Sequence, residues 1–135
     1  MPNVYSIKTC VNCGTSKRSN GKKFCGPKCQ HDFHYKEKVK LWLDGKHDGM
    51  RGKTSTAHWI KRYITEIRGH QCECCKIKEW MDKPISLDLE HKDGDFTNNK
   101  IDNLGLICPN CHSQTDTYKG RNKKGRPRSK YYRGL

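Results

Sequence analysis

The sequence lacks any apolar run of membrane-spanning length, and its opening residues, Met1-Pro-Asn-Val-Tyr-Ser-Ile-Lys8, contain no apolar signal core. A membrane-embedded or exported chain is therefore not expected. Hydrophobic residues are also scarce, at 32% against 31% charged, with aromatics at 9%. In 135 residues that leaves room for one domain or two very small ones with a thin core, and chains this small and polar need staples. Acids are missing from residues 119–135, which hold eight basic residues. Repeats are missing too, apart from four cysteine pairs: Cys10/Cys13, Cys25/Cys29, Cys72/Cys75 and Cys108/Cys111. In a reducing compartment thiols are kept for metal rather than disulfides, so zinc is the expected staple.

The net charge of +14 is unevenly spread. Residues 1–40 carry nine basic and two acidic side chains, and residues 41–68 carry six and three. Residues 69–118 reverse the sign with five basic and nine acidic. Two cationic ends around an acidic centre suit arms that grip a polyanion beside a cation-binding site. A solvated, purely solubilising tail is the plainer reading of the basic end.

Four regions follow. Residues 1–36 read as an N-terminal four-cysteine zinc finger, in which Cys10-Val-Asn-Cys13-Gly14 forms a knuckle and Cys25-Gly-Pro-Lys-Cys29 supplies the second pair. Residues 37–69 are a helical linker region. The first helix runs from Gln30 to Leu43, Gly45–Lys53 is a linker, and Thr54-Ser55-Thr56 is expected to cap a second helix. Ala57, Ile60, Ile64 and Ile67 form the core face of that helix and Gly69 ends it. In residues 70–118, Ile85, Leu87 and Leu89 alternate with Ser86, Asp88 and Glu90, a half-buried strand with an acidic outer face. A polar loop from Asp93 to Asn99, a short strand at Leu106-Ile107 and a helix from Pro109 to about Tyr118 complete the order strand, loop, strand, helix. Residues 119–135 have no apolar pattern and read as a basic tail, disordered until bound. The fold class is small, zinc-stabilised α+β.

Tetrahedral sites of four thiolates are the usual closed structural zinc sites. Pairing neighbours in order gives Cys10/Cys13/Cys25/Cys29 and Cys72/Cys75/Cys108/Cys111, with less loop closure than an interleaved arrangement. The second set encloses 32 residues, among them Glu90, His91 and Asn103. Cys74 is left over, with no base placed to make it a nucleophile.

Leu87-Asp-Leu-Glu-His91-Lys-Asp-Gly-Asp95, Asn98-Asn99, Asp102-Asn103-Leu104 and Leu106-Ile-Cys-Pro-Asn-Cys-His-Ser-Gln-Thr115 together resemble the HNH endonucleases. The resemblance is close across residues 72–118. It extends weakly to the front, since some free-standing phage and bacterial members carry a similar finger. It implies a ββα-metal fold, metal-dependent hydrolysis of DNA phosphodiesters, and a cytoplasmic location in a bacterium or phage-infected host. By the resemblance His91 is the general base and His112 a ligand of the catalytic metal. Glu90 stands where the family usually has Asp, also as a ligand, with Asp88 as the alternative carboxylate. Asn103 is the central Asn, which orients the loop and the base.

The residue chemistry points the same way. A neutral imidazole is a competent base at physiological pH and needs a partner on its other nitrogen, a role open to Asn103 or a backbone carbonyl. One carboxylate and one imidazole make a sparse shell, suited to magnesium, which keeps waters and accepts phosphate oxygens. Manganese, nickel or cobalt tolerate the imidazole better. Strict alternation puts His91 on the face of Leu89, so the strand is expected to end or twist at Glu90. His31, His34, His47, His58 and His70 have no comparable context.

Double-stranded DNA is the expected partner. Gly125-Arg126-Pro127-Arg128 resembles an AT-hook core, which follows the minor groove, although plain phosphate binding by Arg121, Lys123, Lys124, Arg126, Arg128 and Lys130 is the simpler reading. Lys17, Arg18, Lys22 and Lys23 lie between the cysteine pairs of the finger and can add contacts. One active site per chain suggests nicking by a monomer, or two cuts by a transient homodimer on DNA. The rival reading is a non-catalytic zinc protein that docks on DNA with the same scaffold.

Overall fold

Two antiparallel strands, β1 (Ser6–Thr9) and β2 (Ser16–Ser19), frame the first cysteine knuckle, with Lys8 directly opposite Lys17. A helix, α1 (Pro27–Leu43), follows and buries Val39 and Trp42. It starts three residues earlier than the expected Gln30 because Pro27 is preset for a helix's first turn. The computed structural model describes residues 6–19 and 22–121. It divides into two compact units, Met1–Lys46 and His47–Leu135. Among the described residues no helix is long and apolar enough to cross a membrane.

The second unit opens with a hairpin, β3 (Met50–Arg51) and β4 (Ser55–Thr56), where a linker and a helix cap are expected from the sequence. The hydroxyls are spent elsewhere: Ser55 Oγ donates to Arg51 O at 3.2 Å and Thr56 Oγ1 to Asn99 Oδ1 at 3.0 Å. Helix α2 (His58–Arg68) therefore starts after Ala57 with no side-chain cap. Ala57, Ile60 and Ile64 are buried as expected, but Ile67 is 51% exposed. The sheet beneath α2 has only two four-residue strands, about 13 Å long, enough to cover roughly two helical turns.

After α2 a small hairpin pairs β5 (Glu79–Trp80) with β6 (Lys83–Pro84), its turn made by Met81 and Asp82 at positive φ. Then come β7 (Asp88–His91), a 3-10 turn at Ile101–Asn103, β8 (Leu104–Ile107) and the short helix α3 (Pro109–Ser113). β7 and β8 are antiparallel, with Glu90 opposite Gly105 and His91 opposite Leu104. α2 packs on β8 and α3 on β7. Leu104 and Leu106 are fully buried. The expected strand at Ile85 starts three residues later, and it does not stop at Glu90. His91 stays in the ladder, because burial of the Glu90 carboxylate is compensated by polar partners described below. The last helix is five residues long and ends well before Tyr118. The first residues of the expected tail, Lys119–Arg121, form a 3-10 turn.

A two-stranded sheet has two open edges, each a row of unpaired backbone groups. The edge of β8 is closed by an ion pair. Glu73 N donates to Leu106 O at 2.8 Å, and Leu106 N donates back to Glu73 Oε2. Arg68 Nη1 reaches Leu104 O at 2.7 Å and Glu73 Oε1 at 3.0 Å, while Nη2 reaches Ile101 O at 2.9 Å. A Cβ on Gly105 would come within 3.2 Å of Glu73 Oε2, so glycine there keeps the carboxylate close. Arg68→Met keeps the apolar stem but leaves these acceptors unpaired. It should lower the unfolding free energy by about 2 kcal/mol in urea titrations of metal-loaded protein, whereas a loss under about 0.5 kcal/mol would show the edge needs no such cover.

Candidate active site and thiol centres

The two knuckles are built alike. Cys10 N donates to Thr15 O at 2.9 Å and Gly14 N to Cys10 O at 2.9 Å, while Cys72 N donates to Ile77 O at 3.0 Å and Lys76 N to Cys72 O at 2.9 Å. The turn needs a left-handed residue after the second cysteine, met by Gly14 at φ 73° and by Lys76 at φ 64°. The thiols of Cys10, Cys13, Cys25 and Cys29 lie within 4.8 Å of one another, as do those of Cys72, Cys75, Cys108 and Cys111. The sequential grouping is thus the one the chain adopts. The Sγ atoms of Cys13 and Cys25, and of Cys75 and Cys108, are 3.7 Å apart. Tetrahedral zinc with sulfur at 2.3 Å requires roughly 3.8 Å, so the donor sets fit a structural zinc.

Their electrostatics also favour a cation. The backbone N–H of Cys13, then that of Cys25, brings the Cys10 thiol down to about 6. Burial pushes Cys72 up, but the N–H groups of Cys108, Cys75 and Cys74 outweigh it and bring it down to about 6. Neighbouring sulfurs, Cys29 first, push Cys25 up to about 12, and Cys75 heads the causes that raise Cys111. The Thr15 hydroxyl lowers Cys13 as well, so each cluster combines thiols that ionise easily with others that resist added negative charge, a conflict that a divalent cation relieves.

The second cluster anchors both ends of the ββα unit. Cys108 closes β8 and precedes α3, and its N–H donates to Cys72 Sγ at 3.3 Å. From α3, His112 projects onto the face of β7 that carries Asp88 and Glu90. Its Nδ1 lies 3.0 Å from Asp88 Oδ2 and its Nε2 lies 3.0 Å from Glu90 Oε2. A neutral imidazole has one N–H. With that proton on Nδ1, toward Asp88, Nε2 offers a lone pair to the space beside Glu90. Two neighbouring ligands of an octahedral cation, each at about 2.1 Å, are roughly 3.0 Å apart, so these atoms fit a shared divalent ion. Asp88 meets the other ring nitrogen, so an ion at Nε2 would have Glu90 and not Asp88 beside it. Glu90 is buried at 9% exposure, with Thr117 Oγ1 donating to its second oxygen. Tyr118 stands edge-on to His112, with ring centres 5.1 Å apart.

His91, the next residue, leaves β7 on the opposite side. Its Nε2 lies 2.9 Å from Asn99 Oδ1, and its Nδ1 has no hydrogen-bond partner among the described residues. Asn99 is 3% exposed. Asn103 works on the loop: its Nδ2 donates to Asp93 Oδ1 at 2.9 Å and Asn98 O at 2.8 Å, and its Oδ1 accepts from Asp93 N at 3.1 Å. The Asn98 amide, with help from Asp95 N and Asn103, draws the Asp93 carboxyl down to about 2. Asp93 is therefore fully ionised at neutral pH, and protonation toward pH 2 would release the loop. Asn99, Thr117 and Tyr118 escape sequence reading as site residues. Only the doublet Asn98-Asn99 hints at the first.

Among the basic side chains, Lys17 and Arg18 sit on β2, with Lys17 Nζ 3.5 Å from Cys25 O. Lys22 and Lys23 are exposed on the approach to Cys25. Lys119 and Arg121 lie over the Tyr118 ring at 5.0 and 5.7 Å, and Arg121 Nη2 donates to Ser113 O. Lys123, Lys124, Arg126, Arg128 and Lys130 lie outside the described residues.

A hairpin and a thiol-anchored helix that meet at a histidine–carboxylate pair define a small zinc-type ββα module, and the residue pattern from β7 to α3, with the relative described next, supports placing it with the HNH endonucleases. Over 95 residues, 69% of the chain, it is 55% identical to the H-N-H endonuclease F-TflIV of Escherichia phage T5. The match covers 39% of that relative's length. No family model and no solved structure matches the chain.

Elemental analysis of the purified protein should find about two zinc ions per chain, falling to one in Cys72→Ser. One zinc or none in the wild type, or two retained by the variant, would contradict the grouping.

Proposed function

We propose that the protein is a metal-dependent endodeoxyribonuclease, acting in the cytoplasm of a phage-infected or bacterial cell, with His91 as general base. The observation that carries this reading is the pairing of a His91 ring whose Nδ1 is unengaged with a Glu90–His112 pair one residue away. A divalent cation held by Glu90 and His112, magnesium or manganese with nickel or cobalt as imidazole-tolerant alternatives, would neutralise charge on the phosphate and the leaving oxygen. His91 Nδ1 takes the proton of the attacking water. Asp88 and Thr117 keep His112 and Glu90 from swinging away, and Asn103 keeps the loop folded behind them.

Glu90 and His91 lie on the two sides of β7, so a phosphodiester that meets both lies across the C-terminal end of that strand rather than on one face. The module itself is acidic, and cations from elsewhere hold the DNA. Lys8 and Lys17 face each other across β1 and β2, an unfavourable pairing of like charges that a phosphate relieves. Lys119 and Arg121, stacked at Tyr118, bring two more cations beside His112. Structural zinc in both thiol sets holds these parts. One reactive centre per chain makes nicking the elementary event, and a double-strand break needs two chains or two visits.

On supercoiled plasmid, wild-type protein should produce open circles with Mg²⁺ or Mn²⁺ and none after EDTA. His91→Ala should lose about a hundredfold or more in rate, as removal of a general base does. Cutting by His91→Ala at the wild-type rate would refute the mechanism, and a wild type that binds but never cuts would favour a docking protein. Separately, replacing Lys8 and Lys17 by Gln should make log Kd against log salt shallower by about 2 if each neutralises a phosphate. An unchanged slope would remove the finger hairpin from the interface.

A further inference from the structure

A base is useful only if its lone pair is on the nitrogen that faces the water. We propose that Asn99 is a positioning residue that fixes the tautomer of His91, with the proton on Nε2 and the lone pair on Nδ1. The proposal rests on His91 being the base and adds the device that sets it.

The neighbours of the Asn99 amide fix its orientation. Its Nδ2 lies 3.1 Å from Asp48 O and 3.1 Å from Met50 Sδ, both acceptors. Turning the amide over would set Oδ1 against the Asp48 carbonyl oxygen, two acceptors facing each other in a buried place. Oδ1 therefore points to His91 and can only accept. Thr56 Oγ1 donates to the same Oδ1 at 3.0 Å, so its single proton is committed there rather than to His91 Nε2, at 3.4 Å. Nε2, 2.9 Å from Oδ1, must then carry the proton. The other tautomer would direct a lone pair at Oδ1 where burial leaves no room for water to mediate.

The supports come from outside the ββα unit. Asp48 and Met50 lie at the start of the β3 hairpin and Thr56 at its end, so residues 48–56 form a brace behind the base. The two asparagines thus divide the work. Asn103 holds the loop that carries Asn99, and Asn99 holds the ring.

The test combines NMR with single-turnover cutting by full-length, zinc-loaded protein. In slightly alkaline buffer, ¹⁵N spectra of wild-type His91, assigned by comparison with His91→Ala, should show the ring proton on Nε2. A proton on Nδ1 overturns the proposal whatever the activity. Asn99→Ala should cut about 10–100-fold more slowly with unchanged DNA affinity, the usual cost of removing the partner of a site histidine. Asn99→Asp keeps an acceptor toward Nε2, but its second oxygen faces the Asp48 carbonyl, so it is read by its spectrum and not by its rate: zinc-loaded and folded, it should retain the His91 proton on Nε2. Asn99→Ala cutting at the wild-type rate, or folded Asn99→Asp with the His91 proton on Nδ1, overturns the positioning role. If Asn99→Ala loses zinc or unfolds, the wild-type spectrum decides. If His91→Ala cuts normally while wild-type His91 holds its proton on Nε2, the base assignment fails and the tautomer lock stands.

Discussion

Cys108 is the point at which β8 ends, α3 begins and the second thiol cluster closes, and the aim of His112 depends on it. A five-residue helix has no stability of its own, because nucleating a turn costs more than so few hydrogen bonds return. α3 persists because Pro109 presets its first turn and because Cys108 and Cys111 are both held by the cluster. His112 follows Cys111 directly, so the thiols set where its ring points. Cys72 and Cys75 tie the same cluster to the segment that closes the β8 edge through Glu73. One cation among four sulfurs would thus fix both the sheet and the helix that meet at Glu90.

The rest of the unit manages the cost of putting charge inside so small a core. Glu90 is buried, with Thr117 Oγ1 donating to one oxygen and the other turned to His112 Nε2, between which a cation would be shared. Asp93 is more open and is satisfied by loop amides. The Asp93 carboxyl held this way remains ionised at neutral pH, so the loop keeps its negative charge.

The sequence makes some of this legible and hides the rest for physical reasons. Cysteine spacing reports a local turn and a metal's geometry, so the four pairs and their grouping can be read directly. Glu90, His91 and the knuckle before His112 stand out because they are contiguous or flank a cysteine. Asn99 does not, since its partners at Asp48, Met50 and Thr56 are more than forty residues away, the first two in a stretch whose glycines read as linker and the third in an expected helix cap. The cap misleads as well: Thr54-Ser55-Thr56 is a good capping sequence, but hydrogen bonds within the hairpin and to Asn99 prevail over it. The turn at Met81-Asp82 has no Gly or Asn to announce its positive φ, so that hairpin is not visible in the sequence. Alternation along β7 raises the expectation that the strand ends or twists at Glu90, and the strand does not end there. It keeps its ladder, so that Glu90 and His91 stay on opposite sides.

The central claim is that Glu90 and His112 share an exchangeable cation while the neighbouring His91 stays free of metal. Anomalous diffraction from crystals soaked in Mn²⁺ near neutral pH tests it most directly. The account predicts a manganese peak bonded to Glu90 Oε2 and His112 Nε2, distinct from the two zinc peaks, with none at His91. Manganese absent from that pair, or bound to the His91 ring, would contradict it.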